Sequence, residues 1–192
     1  MSAIYNMKSN VVAKFEKVSY EQFKKDIVNV NSSYRTVLRT TEEQLNEEVA
    51  EIYKSIKLPK RSTIGSAGYD FCAPFNFSLY CDYYNTILIP TGIRAKIEDG
   101  WFLALYPRSG SGFKYGIRLA NTCGIIDSDY YNADNEGHIM IKLVRDDIVN
   151  KAPYVVEAGQ AFAQGIFMPY GITEDDEANG IRTGGFGSTD KR

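Results

Sequence analysis

The chain has 192 residues, of which 24% are charged and 13% aromatic, and its formal net charge is −2 at pH 7. These values are typical of a folded domain with a buried core, and they argue against intrinsic disorder. A net charge of −2 also argues against a broadly basic surface that would bind nucleic acid. The three cysteines lack a CxxC spacing, no run approaches the roughly 20 apolar residues of a transmembrane helix, and the N-terminus lacks a signal peptide, so we expect a cytoplasmic protein with no membrane partner.

The first predicted elements are a strand and two helices. "VVAKFEKVS" alternates apolar and polar side chains, which predicts a strand near residues 11–18. Ser19 with Gln22, and Thr41 with Gln44, have the spacing of capping boxes, and each pair begins a segment with apolar residues on one helical face. We therefore predict a helical insertion at residues 19–57.

The chain beyond Pro59 predicts strands. Short apolar runs alternate with Gly, Pro, Asn and Asp, among them "TILIP", "GIRAKI", "GWFLALYP", "GIRLAN", "GHIMIKLV", "APYVV" and "QAFAQGIFMPY". This pattern favours an all-β barrel or sandwich, with "WFLAL" as a central strand because it is apolar on both faces. An exposed loop from "GITEDDEANG" and a flexible C-terminal arm at 180–192 are expected to follow.

Polar residues that packing does not require occur at four places in this region. Asp70 in "GSAGYDF" would ordinarily be a turn or cap residue. In "PRSGSGFKYG", Arg108 offers a bidentate fork and Ser109 precedes glycines that let backbone N–H groups approach an anion, although a tight strand turn is an equal alternative. Gln164 interrupts an apolar strand, where its amide would be structural or would bind a ligand oxygen.

The fourth place is "NTCGIIDSDYY", which brings Asn121, Asp127, Asp129 and Tyr130 close together in the sequence. Asp127 follows two apolar residues, so its carboxylate could lie at the end of a buried strand and serve as a general base for water. A turn built from Asp and Ser is the alternative that this segment alone favours.

The single histidine, His138, restricts the chemistry further, because a histidine-rich zinc site is excluded and any Ser–His or Cys–His pair would have to use this residue. Ile139, Ile141 and Leu143 alternate after it. We expect His138 to be a solvent-facing or hydrogen-bonded strand residue.

Taken together and in order, these segments resemble the motifs of the trimeric dUTPase family. "GSAGYDF" resembles the first, "PRSGSG" the second, "NTCGIIDSDY" the third, "AFAQGIF" the fourth and "RTGGFGST" the fifth. The resemblance implies one mainly β domain over residues 1–192, a jelly-roll-like barrel that forms a homotrimer with sites at subunit interfaces. It also implies hydrolysis of dUTP to dUMP and pyrophosphate with Mg²⁺, which substrate phosphates and waters hold without direct protein ligands.

The resemblance also implies roles for individual residues. Asp127 would activate the water that attacks the α-phosphorus, and Tyr130 would pack under the deoxyribose and exclude a 2′-hydroxyl. Asp70 would organise the phosphate side, including the water shell of the metal. The residues implied in reading uracil are Asn121, Gly124 and Ile126. Those implied in binding phosphates are Arg108, Ser109, Gly110 and Gln164.

The resemblance assigns the C-terminal arm to closure over bound nucleotide. Phe186 would stack on uracil. The residues implied in closing over the phosphates, with glycines that permit the fold-over, are Arg182, Gly185, Gly187, Ser188 and Thr189. Closure would exclude water other than the nucleophile.

The chain departs from the family pattern at four places, one of which is Asp190, where Gly is common in the family. Arg182 is two residues before the paired glycines where the family usually has three, and residues 131–135 lengthen the step after Tyr130, which predicts a bulge or extended turn. The helical insertion lies outside the common core. Its apolar stripe predicts packing on its own domain, with a docking surface for a neighbouring subunit or regulator as the alternative.

Two other functions remain as alternatives. A dCTP deaminase shares the fold, but no motif supplies its catalytic Glu, and "DSDY" with "GGFGST" favours the diphosphatase. A non-catalytic nucleotide sensor or partner-binding module would be favoured if Asp127 or Phe186 were missing, and both are present.

Overall fold

The computed structural model describes residues 11–30, 41–81, 85–146 and 152–180, together with residues 182 and 184. Among them, no helix is long and apolar enough to cross a membrane. The strands are β1 Ala13–Lys17, β2 Lys60–Arg61, β3 Tyr69–Cys72, β4 Phe77–Leu79, β5 Thr86–Pro90, β6 Ile93–Ile97, β7 Trp101–Pro107, β8 Ile117–Leu119, β9 Gly124–Ile126, β10 Met140–Arg145, β11 Tyr154–Val156 and β12 Ala161–Pro169. The helices are α1 Tyr20–Val30, α2 Glu42–Ser55, α3 Ser109–Tyr115 and a 3₁₀-helix at Ser128–Asn132.

The strands pair antiparallel in a mainly β, jelly-roll-like fold, as predicted. The largest sheet has the order β2-β3-β12-β7-β9, and the smaller ones are β5-β10-β8, β1-β6 and β11-β4. Strand β7 lies between β12 and β9, so the prediction that "WFLAL" is a central strand is confirmed. The buried faces meet in one core that includes Phe71, Leu103, Phe162 and Ile141. Close packing of these faces sets the positions of the strand ends that carry the polar clusters.

The helical insertion between β1 and β2 packs on its own domain. Phe23 and Val49 are buried, and Ile56 lies so close to Gly92 that a Cβ there would come within 2.3 Å of its Cδ1. Gly92 also has φ +72°, a conformation that glycine adopts without strain. The stripe of α2 is therefore a core-facing surface, and nothing among the described residues supports a docking surface for a regulator.

Only one of the two predicted capping boxes is complete. Thr41 and Gln44 make both reciprocal hydrogen bonds. At α1, the backbone N–H of Gln22 donates to Ser19 Oγ as predicted, but the other half of the box is wrong. The N–H of Ser19 donates instead to Glu136 Oε2 at 2.7 Å, because that loop carboxylate lies closer and carries charge.

Three further local predictions needed correction or were confirmed. "SGSGFKY" forms helix α3, so the strand-turn alternative is wrong; a left-handed Gly116 ends this helix. His138 is hydrogen-bonded as expected, but it is fully buried and precedes β10 instead of lying in it. Residues 134–137 form the extended turn that the longer third segment predicted.

Candidate functional site

Asp127 lies at the point where β9 ends and the 3₁₀-helix begins. β9 pairs with β7, with Ile126 opposite Leu103, so Ile126 is buried in the sheet and any part it plays in binding would use its backbone. The extended backbone of Asp127 (φ −77°, ψ 160°) then turns its carboxylate out of the strand. The side chain is 45% exposed, so water can reach it. Asp127 therefore ends a strand as predicted, but β9 is an edge strand whose Ile125 is exposed and is not buried throughout.

Arg182 joins the acidic residues of this region into what we call the Asp127 cluster, formed by Asp127, Asp129, Tyr130 and Arg182. Its Nη2 lies 2.5 Å from Asp127 Oδ2, and its Nε lies 2.9 Å from Asp129 Oδ1. The guanidinium carbon lies 5.7 Å from the centre of the Tyr130 ring. One cation from the C-terminal segment thus covers both the carboxylates and the aromatic ring.

Tyr130 is buried beneath this arginine, and its hydroxyl is anchored. The hydroxyl donates to the backbone oxygen of His138 at 2.8 Å and accepts from Asn135 Nδ2 at 2.7 Å. Burial raises the pKa of Tyr130, which the hydrogen bond from Asn135 only partly offsets. The phenol is therefore protonated at neutral pH and acts as a fixed surface, not as a base.

A second group lines the Asp70 pocket, a cavity of about 380 Å³ whose polar walls include Ser62, Asp70, Arg108, Ser109 and Gln164. Asp70 Oδ1 lies 3.4 Å from Arg108 Nε, and Ser62 Oγ donates to Asp70 Oδ2 at 2.8 Å. Gln164 Nε2 donates to the backbone oxygen of Pro107. The pocket thus presents a partly exposed arginine, hydroxyls and an amide, a set that suits an oxyanion.

Sheet register brings these side chains together. Gln164 on β12 pairs with Asp70 on β3, while Arg108 follows directly after β7, the other neighbour of β12. A Cβ at Gly68 would lie 2.6 Å from Gln164 Oε1, so a larger residue here would displace the Gln164 amide from its present position. Ser109 and Gly110 begin α3 beside Arg108, and this segment borders a second cavity of about 290 Å³.

The remaining predicted residues of the third segment lie in the turn between β8 and β9 and at the start of β9, two strands that belong to different sheets. Asn121 is exposed, and its backbone oxygen accepts from the Cys123 N–H at 2.7 Å. Gly124 lies against Leu105, where a Cβ would come within 3.1 Å of that side chain. The polar Asn121 in this turn is therefore open to solvent, whereas Gly124 is packed in the sheet. The predicted residues that fall outside the described part of the chain are Gly185, Phe186, Gly187, Ser188 and Thr189.

The two groups of residues remain separate within one chain. Among the described residues, no hydrogen bond or ion pair joins Asp127, Asp129 or Arg182 to Asp70, Arg108 or Gln164. Sequence reasoning missed the support behind Tyr130, because Asn135 and His138 carry no motif of their own. The only signal was that the lone histidine stands directly before a buried strand.

The sequence comparisons point to one family. The family model for dUTPase matches residues 54–190. The chain is 43% identical over 149 residues to the deoxyuridine 5′-triphosphate nucleotidohydrolase of Lactococcus lactis, a match that covers 74% of this chain and 95% of that protein. It is 35% identical over 145 residues to the protein of the same name from Escherichia coli, with coverages of 72% and 91%.

Solved structures agree with this fold. The dUTPase from Streptococcus mutans aligns with a TM-score of 0.54 and 36% identity, covering 63% of this chain and 91% of that one. The dUTPase from phage phi11 of S. aureus aligns with a TM-score of 0.53 over 66% and 92%, and at 20% identity it supports the fold alone.

Proposed function

This chain belongs to the dUTPase family, and from that premise we propose that it hydrolyses dUTP to dUMP and pyrophosphate. The observation that carries the proposal is the partly exposed Asp127 carboxylate at the end of β9, which shares Arg182 with the buried Tyr130. A carboxylate beside an aromatic surface can activate water next to a nucleotide that packs on that surface.

Asp127 is the general base in this mechanism. A water held by its carboxylate attacks the α-phosphorus, and the new bond forms between the water oxygen and that phosphorus. The bond from the α-phosphorus to the oxygen bridging to the β-phosphorus breaks, pyrophosphate leaves with that oxygen, and the water proton passes to Asp127. Tyr130 lies under the deoxyribose, where its buried ring leaves no room for a 2′-hydroxyl.

Arg182 blocks the base until nucleotide binds. In the ligand-free chain it pairs with Asp127 and Asp129. A triphosphate offers more negative charge and more acceptor oxygens than two aspartates, so binding transfers the guanidinium from the carboxylates to phosphate. The same step frees Asp127 to accept a proton and draws the C-terminal arm, with Phe186, over the base.

The Asp70 pocket binds the phosphates. Arg108 provides positive charge and a two-pronged donor, and Ser109, Gly110 and Gln164 add neutral donors around it. Phosphoryl transfer asks a protein mainly to position groups and to neutralise charge, which this donor set can do.

Mg²⁺ reaches the site on the triphosphate in this proposal. Among the described residues, no group of three or more His, Cys, Asp and Glu side chains is arranged to hold a metal ion. Mg²⁺ prefers phosphate oxygens and water to an all-protein cage. Asp70 already has Ser62 and Arg108 as partners, so it would act on the ion through the water shell. When bound, the ion supplies positive charge that offsets the triphosphate.

A homotrimer completes the site by bringing the Asp70 pocket of one subunit to the Asp127 cluster of another. The absence of any described ion pair between the two groups within one chain supports this arrangement. Phe113 on α3 and Ile125 on β9 are 93% and 52% exposed, and both border the site segments. Large apolar side chains at such positions favour burial against a neighbouring subunit.

The proposed activity is tested by incubating the purified protein and Mg²⁺ with dUTP, dCTP, dTTP and UTP while pyrophosphate and ammonia are assayed. We expect pyrophosphate from dUTP and little from the other three. Ammonia from dCTP would establish a deaminase instead. No product from any nucleotide, with binding retained, would establish a sensor.

A further inference from the structure

We infer that Asp26, on helix α1 of the helical insertion, is a positioning residue for Tyr130 and so sets the discrimination between deoxyribo- and ribonucleotides. The inference rests on the proposed function, because it takes Tyr130 as the surface under the sugar. Asp26 does not reach that surface itself. It acts through His138 and the loop at residues 133–138.

The first link is between this loop and the Tyr130 ring. The Tyr130 hydroxyl is held from both sides by groups of the loop, the His138 backbone oxygen and the Asn135 amide. The loop also packs closely on the 3₁₀-helix. Gly137 has φ +68°, and a Cβ added there would lie 2.7 Å from the Tyr130 backbone oxygen. A shift of the loop therefore moves the ring, since no slack separates them.

The second link fixes the loop to the insertion through the buried imidazole. The Gly92 N–H donates to His138 Nε2 at 2.8 Å, which makes Nε2 the acceptor and places the proton on Nδ1. That Nδ1–H donates to Asp26 Oδ2 at 2.6 Å. Both nitrogens of a fully buried ring thus have hydrogen-bond partners, one from the barrel and one on α1.

The third link is the ionised state of the Asp26 carboxylate. Gln22, one turn earlier on α1, donates from Nε2 to the same Oδ2 at 2.7 Å. Burial opposes ionisation of Asp26, but the hydrogen bonds from His138 and Gln22 outweigh it, and the pKa of Asp26 is lowered. The acceptor that faces His138 is therefore an ionised carboxylate at neutral pH.

A separate contact ties the same loop to the beginning of α1. Glu136 accepts from the Ser19 N–H at 2.7 Å and from Ser19 Oγ at 2.6 Å. The loop after Tyr130 is thus attached to the α1 segment twice, once through a buried imidazole and once at the surface.

The consequence for specificity follows from the loss of the acceptor for a buried hydrogen-bond donor. Removing the Asp26 carboxylate leaves His138 Nδ1–H buried without its acceptor, a penalty that a shift of the loop relieves. Such a shift releases the Tyr130 hydroxyl and opens space below the sugar. The affinity for the ribonucleotide then rises more than the affinity for the deoxyribonucleotide.

The test compares the affinities of Asp26→Ala and the wild type for non-hydrolysable α,β-imido analogues of dUTP and UTP, by calorimetry with Mg²⁺. We expect the wild type to prefer the deoxy analogue and Asp26→Ala to lose on the order of tenfold of that preference. Asp26→Asn keeps an oxygen acceptor for both donors and should restore most of it. Glu47→Ala, at an exposed acidic position on α2, is the matched control and should leave the ratio unchanged.

Two measurements separate positioning from general destabilisation. In Tyr130→Phe the hydroxyl anchor is already lost, so adding Asp26→Ala should relax the preference little further. The chain has a single histidine, so its Nδ1–H proton gives one assignable NMR resonance, which we expect in the wild type and in Asp26→Asn and not in Asp26→Ala.

A folded Asp26→Ala with the wild-type affinity ratio would overturn the inference, as would a wild type with equal affinity for both analogues. If Asp26→Ala does not fold, Glu136→Ala releases the loop at its surface attachment, and an unchanged ratio there would overturn it as well. If the wild type prefers the deoxy analogue but releases no pyrophosphate from dUTP, the proposed hydrolysis is contradicted. The ratio of affinities for the two analogues would still test the role of Asp26.

Discussion

The two halves of the site are held in place by different means. The Asp70 pocket is defined by the register of neighbouring strands, which places Asp70 opposite Gln164 and Arg108 beside them. The Asp127 cluster lies on a short 3₁₀-helix and a loop that depend on side chains, with Tyr131 donating to Glu16 and Ser19 donating to Glu136. Backbone ladders hold the strands of the first half, whereas the second half depends on hydrogen bonds to ionised carboxylates.

This difference suits the two tasks. Phosphate binding needs a fixed arrangement of donors before substrate arrives. The water-activating half must release Arg182 and accept a nucleotide, so its geometry depends on contacts that can be exchanged. The predictions below act on one half and measure whether the other is affected.

Asp127→Asn should have the largest effect. Loss of a general base costs on the order of 10²–10⁴-fold in kcat, and an amide of the same shape should leave binding of the imido analogue of dUTP close to that of the wild type. Steady-state kinetics and calorimetry measure the two quantities.

Asp129→Asn is the control for that variant, because Asp129 also pairs with Arg182 and is not the base. We expect its kcat to fall much less. An equal loss in both variants would show that pairing with Arg182, and not proton transfer, accounts for the effect.

Gly92→Ala tests the contact between the helical insertion and the barrel. An added Cβ would meet Ile56 Cδ1 at 2.3 Å and would strain a left-handed backbone, so the free energy of unfolding should fall by about 2–4 kcal/mol. Gly100 has a similar φ of +81° with nothing within 4 Å of an added Cβ. Gly100→Ala should therefore lose only about 1–2 kcal/mol in urea unfolding. Equal losses would show that the packing contact contributes nothing.

Arg108→Ala tests the Asp70 pocket alone. The loss of one charge-assisted contact to phosphate should weaken binding of the imido analogue of dUTP by roughly 10–100-fold. The Asp127 cluster should be unaffected, so the His138 Nδ1–H resonance should remain. Arg108→Lys should recover little, because a point charge does not reproduce the planar fork. Full recovery by lysine would mean that charge alone is used.

The sequence predicts those features that depend on near neighbours and misses those that depend on distant ones. Alternating apolar runs predicted the strands, and the position of Asp127 after "GII" predicted a carboxylate at a strand end. The Ser19 box was half wrong because Glu136, 117 residues away, takes the Ser19 N–H. Alternation predicted a strand at His138, and its full burial was missed because its acceptor, Asp26, is 112 residues away. The helix at "SGSGFKY" was not predicted because its glycines disfavour a helix locally.

The smallest effect is expected at Glu16, which supports the 3₁₀-helix through Tyr131. Hydrogen bonds from Lys14 and Tyr131 lower the pKa of Glu16 to about 2 from 4.5. Because the folded pKa lies below the unfolded one, the stabilisation is complete above about pH 4.5 and is lost as the pH falls toward 2. Glu16→Gln should therefore lower the free energy of unfolding at pH 7 by less than about 1 kcal/mol. The difference from wild type should vanish as the pH approaches about 2. Glu98→Gln, at an exposed carboxylate just beyond β6, is the matched control in parallel melts. A Glu16→Gln difference that persists to pH 2 would show that Glu16 stabilises the helix by packing instead of charge.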